Sequence, residues 1–133
     1  MRVGRLLEIR ADFGYRSVED VDALFAQVDK LYTQRTDAAP VVIVADWRRC
    51  PLMSPEAATR VGQRIAQNNE RTQRSAALAS NDAPLAVLQF VRLIRDAGLP
   101  ERKLFFNKTE LIDWLSEVLT PREIERLREF LGG

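Results

Sequence analysis

The residues of this chain that could do chemistry fall at the ends of its apolar segments. They are Asp12 with Tyr15 and Arg16, Asp46 with Arg48 and Arg49, Ser80 with Asn81 and Asp82, and Asn107 with Lys108. In open α/β sheets ligands bind beyond the carboxyl ends of the strands, so these loops are the first place to look. Asp12, Asp46 and Lys108 would suit a magnesium-dependent phosphoreceiver, with carboxylates holding the cation and a lysine meeting the phosphoryl group. That reading is a minor alternative, because a receiver expects an acidic pair where Asp12 stands alone, five strands rather than four, and a proline after Lys108. The same polar residue types also cap helices and make turns in any such fold.

The remaining chemistry is thin. The chain has no histidine, the usual general base near neutral pH and a common zinc ligand. Its single cysteine, Cys50, excludes an intrachain disulfide and paired-cysteine metal sites, and lacks a histidine to activate it. There is no Gly-rich phosphate loop, metal-ligand motif or Gly-x-Ser-x-Gly elbow. The expectation is a protein that is not an enzyme and holds no cofactor or metal.

Twenty basic and nineteen acidic residues leave a net charge of +1, so no global field draws in nucleic acid or an anionic membrane. Arg48, Arg49, Arg60, Arg64, Arg71 and Arg74 make the middle locally basic. Without interleaved aromatics for base stacking they read as a solvated face. No run is long enough to span a membrane, and Arg5, Glu8, Arg10 and Asp12 interrupt any leader-like stretch. With the lone cysteine, this implies a cytoplasmic protein.

The elements that must position these residues follow from periodicity. Val3, Leu7, Ile9, Ala11 and Phe13 give a strand around 4–11. Ser17 caps a helix carrying Val18, Val21, Leu24, Phe25, Val28, Leu31 and Tyr32. Val41 to Ala45 reads as a strand buried on both faces, and Ser54-Pro55 opens a helix over 55–71. A short strand at 76–79, a helix over 84–97 stopped by Gly98, and a strand at 103–106 follow. Asn107 with Glu110 opens a helix through Leu111 to Val118, and Thr120, Pro121 and Glu123 open a last one over 120–131. The apolar arc of helix 84–97 is wide for a surface helix, so it is well buried or meets something. The alternation predicts one α/β domain over 1–133, with a four-stranded, mostly parallel sheet flanked by about five helices.

From Val41 to Leu115 the chain resembles a STAS domain, the fold of bacterial anti-sigma-factor antagonists. The match is best at Val91-Arg92-Leu93-Ile94-Arg95-Asp96-Ala97-Gly98-Leu99, Leu104-Phe105-Phe106 and Glu110 to Leu115. The resemblance implies a regulatory protein-interaction module, with Ser54 at the position phosphorylated in switching members. The chain departs from the family in having Met53 where an aspartate is usual and Pro55 after the serine. One clear strand stands where the family opens with two, and helix 120–131 is an addition.

A non-catalytic adaptor is therefore expected, binding a protein partner through Arg48, Arg49, Leu52, Met53 and Ser54. Leu52 and Met53, apolar residues in a polar loop, either plug the core or await a partner. A small-molecule or lipid-binding domain is the alternative, and it requires a sizeable apolar cavity between sheet and helices. Helix 84–97 and the C-terminal helix each offer a stripe for a homodimer.

Overall fold

The computed structural model describes residues 2–11, 16–33 and 39–132. Asp12 and Tyr15 of the first strand-end cluster lie outside these residues, so the geometry that a receiver site requires is not described.

Four strands run parallel: β2 (Leu6–Arg10), β3 (Val41–Asp46), β4 (Thr72–Leu78) and β5 (Arg102–Phe105). A two-residue strand, β1 (Arg2–Val3), joins the β2 edge antiparallel. Sequence alternation alone merged this hairpin into one strand. Gly4, at φ +55°, makes the turn, a backbone conformation that costs an L side chain about 1–2 kcal/mol.

The five helices are α1 (Val18–Thr33), α2 (Pro55–Gln67), α3 (Pro84–Ala97), α4 (Lys108–Ser116) and α5 (Pro121–Gly132). The strands lie side by side in chain order. Right-handed crossovers taken always in one direction put α1, α2 and α3 on one face of such a sheet. The core divides accordingly. Leu7, Ile43, Ala45 and Ala77 pack against α1 to α3, while Leu6, Val42, Val44, Ala76 and Leu78 meet α4 and α5. β3 is buried throughout, as its unbroken apolar run requires.

Local signals set most boundaries. The Ser17 and Ser54 hydroxyls cap α1 and α2, accepting from the Asp20 and Ala57 amides at 3.2 Å each. The Asn107 side chain caps α4, and Gly98, at φ +79°, ends α3. Two boundaries differ from the sequence expectation. Helix 55–71 closes at Gln67, and Asn69–Arg71 forms a separate 3-10 turn. β4 begins at Thr72 rather than 76: Thr72 is buried, and the polar Gln73, Arg74 and Ser75 are partly exposed, which hides the strand from an apolar pattern. Arg74 there lies 4.8 Å over the Trp114 ring and bonds Glu117 at 2.9 Å.

The α5 N-terminus is fastened to the hairpin by a reciprocal capping box. Thr120 N–H donates to the Glu123 carboxylate at 2.9 Å, and Glu123 N–H to the Thr120 hydroxyl at 3.2 Å. The other Glu123 oxygen accepts from the Arg5 amide at 2.7 Å.

Candidate functional site

Consecutive strand order has a consequence for function. Ligand crevices in open α/β sheets form where the strand order reverses, and the parallel strands here have no reversal. At the end of β3 the polar residues are used within the fold, while Asn81, Asp82 and Lys108 at the ends of β4 and β5 are exposed. Asp46 is buried at the end of β3. It accepts from Arg48 Nε at 3.0 Å and Nη2 at 2.9 Å, with Arg10 Nε at 3.5 Å. Burial opposes its charge, but the Arg48 hydrogen bonds and the two guanidinium charges outweigh this and hold its carboxyl below the usual aspartate value. Arg48 also donates to the Leu131 carbonyl at 3.3 Å, and Arg10 to that of Phe130 at 2.7 Å. Both cations thus meet the C-terminal end of α5, where the helix dipole favours positive charge.

The loop that follows alternates between core and solvent. Trp47 is buried, its ring 4.8 Å from that of Phe90 on α3. Cys50 is buried, which pushes its thiol up to about 11 and keeps it protonated at neutral pH. Arg49 is exposed, and Leu52 is 55% exposed. Met53 is 3% exposed and belongs to the core. Its backbone is clamped by one side chain: Met53 N–H donates to Gln89 Oε1 at 2.8 Å, and Gln89 Nε2 donates to the Met53 carbonyl at 2.9 Å. Of the five residues expected to meet a partner, Arg49 and Leu52 are presented to solvent. Ser54 is partly exposed as the α2 cap, Arg48 is committed to Asp46, and Met53 plugs the core.

Further apolar side chains are exposed on α3. Leu85 is 68% and Leu88 65% exposed, with Val91 beside them. Leu85 and Leu88 form one wall of a groove of about 600 Å³ between α2 and α3, whose opposite side is Ala58, Gly62 and Ala66. The wide arc of helix 84–97 was the sequence signal for this face. Gln89 gave none, because a glutamine among apolar residues looks like any polar interruption.

Two other regions are occupied by the fold itself. On the basic stretch, Arg60 and Arg64 pair with Asp22 of α1 at 3.1 and 3.6 Å, and Arg71 lies 4.0 Å over Tyr32. Between the sheet and α1 to α3 there is a cavity of only about 50 Å³, lined by Phe25, Ile43, Val61, Ile94 and Arg102 among others. It is small against the roughly 300–1,000 Å³ of drug-sized ligand sites. Arg102, buried at its margin, bonds Asn69 Oδ1 at 3.0 Å and the Ile65 carbonyl near the end of α2 at 2.9 Å. Burial lowers its guanidinium to about 10, so it stays charged at neutral pH.

Among the described residues no cluster of histidine, cysteine and carboxylate side chains could hold a metal ion, and no helix is long and apolar enough to cross a membrane. Comparison with protein-family models, with curated proteins and with solved structures gives no match.

Proposed function

We propose that this chain is a divergent STAS-like, non-catalytic interaction domain of the bacterial cytoplasm, binding protein through Leu52, the α2–α3 groove and the exposed face of α3. The observation that carries this reading is the exposure of Leu85 and Leu88 along one wall of the α2–α3 groove and of Leu52 in the loop that Gln89 ties to α3, each leucine more than half exposed. Exposed apolar surface of this kind is costly in water unless something covers it. The antiparallel β1–β2 pair supports the resemblance, since it supplies the second opening strand expected of that family. Ser54 caps α2 as the resemblance implies, and a phosphate there would meet the positive end of the helix dipole. The interior cavity, at about 50 Å³, favours interaction over small-ligand binding.

Affinity capture from the native cytoplasm tests the reading, with wild type beside a Leu52→Asp, Leu85→Asp double variant checked for folding by circular dichroism. A partner held by wild type and lost by the folded variant is the expected outcome. Equal capture by both would place binding elsewhere and remove the reading.

A further inference from the structure

We infer that the cavity between the sheet and α1 to α3 binds a small carboxylate with a tail of one or two carbons, its head held by Arg102 and Asn68. The site goes beyond the interaction reading, which concerns the outer surface of α2 and α3.

Arg102 is 7% exposed, yet it makes no ion pair among the described residues. Its Nε bonds Asn69 Oδ1, and its Nη2 bonds the Ile65 carbonyl at 2.9 Å and the Thr72 hydroxyl at 3.4 Å, so every partner is neutral. The carbonyl end of α2 favours a cation and accounts for Nη2. Nη1 bonds none of the described residues, although a buried charge is costly unless it is paired and its donors are used. Asn68, at 5% exposed, repeats the pattern: its Oδ1 accepts from Arg71, while its Nδ2 donates to none of the described residues. Neither nitrogen is sealed within protein. Arg102, Asn68 and Ser75, whose hydroxyl also lacks a partner among the described residues, line the same cavity. No carboxylate lines it, and Asp29 is engaged by Arg71 at 3.7 Å.

Three unused donors, one of them cationic, match the oxygens of a carboxylate, which together accept about four hydrogen bonds. The rest of the wall selects the other end of the ligand. Phe25, Ile43, Val61 and Ile94 offer only apolar surface, which inorganic phosphate would leave unfilled. A cavity of about 150 Å³ holds the six carbons of benzene, so one of about 50 Å³ takes about two carbons. Acetate and propionate have that size and a single negative charge.

An NMR titration of the whole chain with sodium propionate, to about 50 mM, tests the site, with sodium chloride at equal ionic strength and neutral propionamide as comparisons. Propionate is expected to give saturable shifts at the Arg102 Nε–H and the Ile43 and Ile94 methyls, and propionamide to bind about tenfold more weakly or less. Ala77→Val puts two carbons into the cavity from its wall and is expected to abolish the shifts with an unchanged circular dichroism spectrum. Arg102→Met is expected to weaken propionate binding about tenfold or more. Because that change also breaks the bonds to Asn69 and Ile65, the propionamide comparison and Ala77→Val decide if it does not fold. No saturable shift in wild type, shifts reproduced by chloride (an adventitious ion only), equal affinity for propionamide, or propionate binding kept by folded Ala77→Val overturns the proposal. The Leu52→Asp, Leu85→Asp variant is expected to bind propionate as wild type does, so this site and the interaction reading stand or fall separately.

Discussion

Gln89 is the side chain on which the shape of the candidate loop depends, and its replacement gives a sharp test. The side-chain amide uses its oxygen and its nitrogen at once, bonding both polar groups of the Met53 backbone at 2.8 and 2.9 Å. Substituting Gln89→Leu removes both bonds and leaves a partly buried N–H and C=O without partners. At about 1 kcal/mol net for each bond, the expected loss is about 2 kcal/mol. In urea the midpoint should fall with no change in slope, and the Met53 amide should exchange faster than the α2 amides. Gln89→Glu refines the test because it keeps the acceptor for Met53 N–H and loses the donor to the carbonyl. An ionised carboxylate oxygen then faces the Met53 carbonyl oxygen, while a protonated carboxyl restores the donor. The folded pKa of that glutamate is therefore raised above its unfolded value of about 4.3. Its stabilising contribution is fully present below about pH 4.3 and is lost as pH rises through the folded pKa. Relative to wild type, the variant should recover stability on acidification. A Gln89→Leu loss under about 0.5 kcal/mol, within the range of ordinary surface substitutions, would refute the clamp. So would a wild-type-minus-variant difference that does not change with pH.

Two further outcomes follow from the same packing. Asp46 has the opposite sign: its folded pKa is depressed, so its contribution is present above the unfolded value of about 3.9 and lost as pH falls through the lower folded one. Asp46→Asn should cost about 1–2 kcal/mol at pH 7, less than a fully buried pair because Arg48 is partly exposed, and should flatten the acid limb of stability measured by urea titration. Gly4→Ala should cost about 2 kcal/mol or more by thermal unfolding, since φ is +55° and the new Cβ would collide with the Glu123 carboxylate.

The sequence by itself determined the order of elements, because each signal behind it is local. Hydroxyl caps at Ser17 and Ser54, the Gly98 stop, and the two-residue period of a strand operate within one turn or one pleat. Four parallel strands and five helices follow from those signals with the handedness of crossovers. The unusually wide arc of α3 was also legible there, whereas Leu52 and Met53 stood equally open to core and solvent. Other features depend on contacts between distant residues, which no periodicity encodes. Met53 turns inward because Gln89, 36 positions away, holds its backbone. Arg48 turns toward α5 because the Leu131 carbonyl lies beside Asp46 once the last helix is docked. The groove exists because Gly62 and Leu93 arrive at the same level on neighbouring helices, so that the leucines one and two turns earlier on α3 stand over open space. Residue types set which groups could bind; tertiary packing decided which of them the fold left free to do so.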